Sequence, residues 1–151
     1  MDKIQLAEFF KTIDPDLEIK EGKQYTEVNI PPAKLYFLAR QLKEKPEAQF
    51  DFLFCLTGVD YGQDLGVVYH LRSTIHDHSV VLKTRISDRV DPHLDSVADI
   101  WKTADFHERE VYDLLGIKFN NHPDLRRLFL DNTWGFPLRK DYVDDKNIVT
   151  K

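Results

Sequence analysis

The residues of this chain best equipped for chemistry are Glu108, Arg109, Glu110 and Asp113. Two carboxylates with a guanidinium between them are the parts of a general acid and base pair. Their spacing also gives each a quieter task. Glu110 and Asp113, three apart, share one face of a helix, and Arg109 and Asp113, four apart, are placed to pair. Glu108 and Glu110 near a helix N-terminus are favoured by its dipole. The structural reading is the stronger one, because no nucleophile elbow, phosphate loop or metal motif accompanies them. His107-Glu108 begins like a zinc-protease helix, but position 111 is Val where a second histidine is needed. His76 and His78 flank one residue in a short polar turn, with no further ligand signalled nearby. Gly58, Gly62 and Gly66 have the wrong spacing for a dinucleotide fingerprint and suit a hairpin turn.

A second group of charges lies further on. His122, Asp124, Arg126, Arg127, Arg139, Lys140 and Asp141 alternate with Leu125, Leu128, Leu130, Trp134, Phe136 and Leu138. Pro123 and Pro137 interrupt the run, and no helical or strand period persists. An irregular segment rich in large apolar groups needs cover from elsewhere. Arginine forks pair bidentately with carboxylates, so these residues read as subunit-interface groups or as ion pairs within the chain. Both possibilities stay open at this level.

The elements that must position these residues follow from periodicity. Residues 2–13 place Ile4, Leu6, Phe9, Phe10 and Ile13 at helical spacing. Leu17 to Glu21 and Tyr25 to Ile30 alternate around Gly22 and predict a hairpin. Pro31-Pro32 opens a second helix running to about Glu44. Phe50 to Thr57, Gly66 to Ser73 and Ser79 to Ser87 predict three strands, with Gly58 to Leu65 as the first connection. The short connections favour antiparallel neighbours. A short helical piece is expected over Ser96 to Lys102. Asp105 is a good N-cap for the next helix, with Glu108 closing a capping box and Gly116 ending it. The pattern predicts an α+β fold: a single domain whose sheet of about five strands is mainly antiparallel and packed by helices. Residues 1–116 carry the folded part, and 117–151 form an extended docking tail of the same domain.

Composition narrows the partners. The chain of 151 residues holds 42% apolar and 31% charged residues, ten Phe, six Tyr and two Trp, which excludes disorder. A net charge of −5 disfavours nucleic acid, whose phosphates need a basic face. Phe50 to Val59 supplies about half of the roughly 20 apolar residues needed to cross a bilayer. The first residues lack the pattern of a signal peptide, so membrane association is expected only through partners. Cys55, the single cysteine, rules out an internal disulfide and any iron–sulfur or zinc site built on several thiolates. It is expected as a small buried core residue.

The charged stretches resemble the signature of a known family. They are Glu108-Arg-Glu110 with Asp113 and Gly116-Ile117, then His122-Pro-Asp-Leu-Arg-Arg127, then Gly135-Phe-Pro-Leu-Arg-Lys-Asp-Tyr142, preceded by Ser96 to Trp101. The family is the thirty-kilodalton (C-type) subunit of proton-pumping NADH:quinone oxidoreductase, respiratory complex I. The resemblance implies a structural subunit of the hydrophilic arm with no cofactor, catalytic residue or metal of its own. FMN, iron–sulfur clusters and quinone would sit in partner subunits. Its implied partners are the large subunit of the quinone site and the subunit that holds the terminal iron–sulfur cluster. The implied location is peripheral on the inner membrane, on the cytoplasmic side, or the matrix side in mitochondria. Two other readings compete: the equivalent subunit of a membrane-bound hydrogenase or another donor:quinone reductase, and a free-standing enzyme using Glu108, Glu110 and Asp113.

Overall fold

The structure, a computed structural model, describes residues 2–126 and 135–139. Helix α1 (Lys3–Ile13) is followed by strands β1 (Glu18–Glu21) and β2 (Thr26–Asn29), then helix α2 (Pro32–Glu44). Strands β3 (Phe52–Asp60), β4 (Leu65–Ser73), β5 (His78–Ile86) and β6 (His93–Asp95) come next, then helix α3 (Ala104–Leu115) and strand β7 (Lys118–Asn120). The main sheet has the order β1-β2-β5-β4-β3. Its β1–β2, β5–β4 and β4–β3 pairs are antiparallel, and β2 runs parallel to β5. The fold is thus α+β with a mixed, mainly antiparallel sheet. The α2 helix lies between β2 and β3 and supplies the crossover that a parallel pair requires.

Alternation along β4 sets the layers. Leu65, Val67, Tyr69 and Leu71 are buried, while Val68, His70 and Arg72 are less covered. The buried set joins Phe9 and Phe10 of α1, Leu35, Leu38 and Leu42 of α2, and Val111 and Leu115 of α3 in one core. On the other side Tyr25, Phe54 and His70 touch ring to ring, with Phe52 beside Phe54. Cys55 pairs with His70 in the register and is half-buried, with Sγ 3.3 Å from Thr57 Oγ1. The expectation of a core cysteine is therefore corrected. An apolar strand with a register shift between Leu53 and Cys55 does not reveal which parity faces inward.

Several boundaries also differ from the sequence expectation. β3 starts at Phe52 because the Phe50 backbone is engaged elsewhere: its N–H donates to Leu42 O, and its carbonyl accepts the Trp101 indole N–H. The strand then runs on through Gly58, Val59 and Asp60, which pair with Val67, Gly66 and Leu65. The connection shortens to residues 61–64. Residues 96–103 form turns rather than a helix, with Val97 O accepting from both Ile100 and Trp101 N–H groups. Two short strands have no counterpart in the sequence expectation. β6 and β7 form a parallel two-stranded sheet, pairing His93 with Lys118 and Asp95 with Asn120. Ile117 and Phe119 are buried, so the segment expected to begin the tail contributes to the core.

Gly58 is a point of close approach between α3 and the sheet. A Cβ there would lie 2.4 Å from Leu115 Cδ1 and 2.9 Å from Val111 Cγ1. Val111 is β-branched and nearly fixed in one rotamer within a helix. Gly58→Ala is expected to destabilise the domain by about 1–3 kcal/mol, the usual cost of overpacking a close-packed contact. Urea unfolding measures it, and a wild-type midpoint in the variant would show that α3 can shift freely.

Candidate functional site

The charged residues of α3 depend on how the helix begins. Its N-cap is Thr103, and no side chain caps it. The Thr103 hydroxyl donates instead to Leu53 O at 2.8 Å, tying the helix start to β3. The expected capping box at Asp105 and Glu108 does not form; among the described helices one forms at α1, where Asp2 and Gln5 satisfy each other's backbone N–H. Glu108 is drawn away by tertiary contacts. It is fully buried, and its Oε1 accepts the Ser96 hydroxyl at 2.6 Å while Oε2 accepts the Val97 N–H at 3.0 Å. Burial pushes its carboxyl up to about 7, and the Asp105 and Asp99 carboxylates add to the rise, against the two hydrogen bonds.

The imidazole of His122 closes this cluster from the tail side. Its side chain is fully covered, with Nε2 3.0 Å from Asp105 Oδ1 and 3.8 Å from Glu108 Oε1. The aligned hydrogen bond from Nε2 goes to the Asp105 carbonyl at 3.1 Å, so the approach to Oδ1 is a close contact without hydrogen-bond geometry. Nδ1 accepts the Asp124 N–H at 3.0 Å. That bond places the ring proton on Nε2.

The other residues of interest fall in different places. Arg109 Nε is buried and finds no acceptor among the described residues, and the expected Arg109–Asp113 pair does not form. Asp113 is fully buried and has interactions of its own, while Glu110 is half-buried. Asp124 pairs with Arg126 at 2.9 Å on an exposed surface. Arg127, Trp134, Lys140 and Asp141 lie outside the described residues. An acid–base site built on Glu108, Glu110 and Asp113 is not assembled, because Glu108 and Asp113 are both shielded from any substrate.

Arg139 lies at the other end of α3. The helix stops at Gly116, whose φ of +78° is the left-handed conformation glycine tolerates. Phe136 packs against this glycine; a Cβ there would come within 2.7 Å of the ring. Leu138 N–H donates to Leu114 O at 3.1 Å. Arg139 then donates Nε–H to Leu115 O at 2.6 Å and Nη1–H to Arg89 O at 3.0 Å. A cation bonded to a last-turn carbonyl is favoured by the helix dipole. These contacts of Arg139 are intramolecular. Arg139→Ala is expected to cost about 2 kcal/mol, as for hydrogen bonds from a charged donor. A thermal melt of the isolated chain reads this, and an unchanged midpoint would return Arg139 to a purely external role.

Arg89 and Asp60 form a pair that sequence reasoning missed. Arg89 Nη1 and Nη2 meet Asp60 Oδ1 and Oδ2 at 2.6 and 2.9 Å, and the Asp60 side chain is 2% exposed. Asp60 Oδ1 also accepts the Gly62 N–H at 2.8 Å. The two residues are 29 apart in sequence, a distance at which no spacing rule operates. Ser96, the partner of Glu108, is hidden for the same reason. Among the described residues no group of three or more His, Cys, Asp or Glu is placed to hold a metal ion, and no helix is long and apolar enough to cross a membrane.

Comparison with known proteins places the chain in a family. The model of the family "Respiratory-chain NADH dehydrogenase, 30 Kd subunit" matches residues 28–147. The C/D-type NADH-quinone oxidoreductase subunit from Phocaeicola vulgatus is 51% identical over 122 residues, covering 80% of this chain and 23% of the relative. The chain thus spans about a quarter of that relative's length. The C-type NADH-quinone oxidoreductase subunit from Moorella thermoacetica is 41% identical over 131 residues, covering 85% of this chain and 86% of the relative. A chain in the structure of the membrane-bound sulfane sulfur reductase, an archaeal respiratory membrane complex, shares the fold with a TM-score of 0.82. That match covers 97% of this chain and 88% of the other at 24% identity. With the family model spanning both the Glu108 cluster and the Arg139 clasp, the chain belongs to the respiratory-chain NADH dehydrogenase 30 Kd subunit family.

Proposed function

We propose that this chain is a structural subunit, without a redox centre of its own, in the hydrophilic arm of a proton-pumping NADH:quinone oxidoreductase. In this reading it braces the large subunit that forms the quinone site and lies near the subunit that holds the terminal iron–sulfur cluster. Electrons pass from NADH through FMN and iron–sulfur clusters of partners to quinone. The observation that carries the reading is the family match across residues 28–147. Relatives bearing the combined C/D designation support a neighbour of the D type. The site is consistent in kind: the Glu108 carboxylate is turned inward to hold the start of α3, not toward a substrate.

Affinity purification from native membranes in mild detergent tests the proposal. The large D-type subunit and an NADH- and flavin-binding subunit are expected to copurify. Recovery of the chain alone would overturn the assignment to a complex. The shared fold with a sulfane sulfur reductase chain keeps one second reading, the equivalent subunit of a membrane complex with another electron donor. Copurification of a large subunit without any NADH-binding partner would favour it.

A further inference from the structure

We propose that Glu108, Asp105 and His122 form a proton-linked latch, in which loss of the Glu108 proton lifts the segment from His122 to Asp124 off the first turn of α3. The proposal is independent of which complex the chain enters.

The geometry leaves an ionised Glu108 poorly compensated. Ser96 and Val97 supply one hydrogen bond to each carboxyl oxygen. The basic group beside it among the described residues is the His122 ring, 3.8 Å away, and both its nitrogens are engaged. Nε2–H is committed to the Asp105 carbonyl and Nδ1 to the Asp124 N–H. Protonating Nδ1 would set two N–H groups against each other and cost the ring its bond from Asp124. The carboxylates facing the site are unfavourable to a second negative charge, and a nearby phenol is neutral, its O–H without an acceptor among the described residues. Asp105 lies on the same helix, Asp99 on the turn before it, and the buried phenol of Tyr69 faces it from β4. Asp95 of β6 faces the same phenol. A carboxylate in such surroundings must gain water or keep its proton.

The wall that gives way is the one made by the tail. Ser96 and Val97 precede Ile100 and Trp101 of the core, and α3 is packed on β3 through Val111 and Leu115. Among the described residues the His122 segment is held by its ring contacts and by one backbone bond to Phe119 O at 3.3 Å, with Leu125 just beyond it packed against the core. Asn121, just before it, has a φ of +63°, a left-handed conformation available to asparagine and suited to a hinge. Lifting His122 hydrates Glu108 without disturbing the sheet.

Linkage gives the size. A carboxyl that titrates at about 7 when covered and at its ordinary 4.5 when hydrated favours opening about tenfold more at pH 8 than at pH 6. Amide hydrogen exchange of the full chain, corrected for base catalysis, reads this at His122 and Asp124. Their protection is expected to fall about tenfold between those pH values, at opening rates far above those of β4 and β5 amides. Glu108→Gln is expected to abolish the pH dependence. In the wild-type chain the Glu108 carboxyl carbon followed by NMR is expected to titrate over the same range. His122→Ala is expected to move that titration down by about one unit or more. Protection at His122 and Asp124 equal to that of the core strands would overturn the latch. So would a Glu108 titration at the ordinary carboxylate value, which decides the matter even if the Gln variant does not fold.

Discussion

Replacing Arg89 by Met is expected to destabilise the domain by about 3–5 kcal/mol, the range for removing one partner of a buried ion pair. The guanidinium meets Asp60 through both forks, and the carboxylate is almost wholly covered. Removing the cation leaves that carboxylate buried without its bidentate donor. The methionine fills much of the volume, so the loss reflects charge and hydrogen bonding more than packing. For a chain of this size the melting midpoint should drop by roughly 10 °C. Arg89→Lys keeps a positive charge but not the planar fork, and is expected to lose about half as much. The double change of Arg89→Met with Asp60→Asn should recover part of the loss, because the neutral side chain no longer needs a cation. Equal loss in the double variant and in Arg89→Met would mean that the uncompensated Asp60 charge is not the source of the loss. The consequences extend beyond the pair, since Asp60 closes the β3–β4 turn and Arg89 O receives the Arg139 guanidinium. The turn, the segment after β5 and the residues around Phe136 share one anchor.

Glu108→Gln is expected to invert the order of stability between mildly acidic and mildly basic pH. The folded state raises the Glu108 carboxyl from 4.5 to about 7, so the folded chain holds a proton there that the unfolded chain has released. Stability from this group is present in full below pH 4.5 and is lost as pH rises to about 7. The swing is about 3 kcal/mol at the upper end. Glutamine has no proton to lose and keeps an acceptor for Ser96 or Val97. At pH 8 the variant should match or exceed the wild type, whereas at pH 5 it should be weaker by about 1 kcal/mol, the worth of one imperfect hydrogen bond. Burial holds His70 and His78 below the usual histidine range, and both titrate across the same window with the opposite sign. They are common to both proteins and cancel in the difference. Urea unfolding from pH 5 to pH 8 measures the crossing. Parallel curves for the two proteins would show that Glu108 carries no proton in the folded state.

The sequence by itself determined the family and most of the elements. Periodic apolar residues locate α1, α2 and α3, because each helix buries one stripe and its spacing is local. The alternation in 66–73 and 79–87 locates β4 and β5 for the same reason, and short turns make them antiparallel. Gly116 announces the end of α3 because a left-handed residue is needed there whatever surrounds it. The charged motifs from Glu108 to Arg139 stand out along the chain, and the family match includes them.

Only the tertiary structure decided what those charges do. Asp105 with Glu108 has the spacing of a capping box, a local motif, but Ser96 and Val97 offer Glu108 two hydrogen bonds in a buried site. A buried carboxylate must be satisfied, so the distant partners win over the near one. Arg109 and Asp113 have the spacing of a helix pair and do not form one, because burial sets each side chain's surroundings. β6 and β7 are three residues each and carry no periodic signal; they exist because chain entry to α3 and exit from it run side by side. Arg139 and Arg89 are 50 residues apart and meet only where the end of α3 brings the chain back. Local chemistry repeats within a turn or two and can be read along the chain. The pairing of buried charges depends on which surfaces the fold brings together.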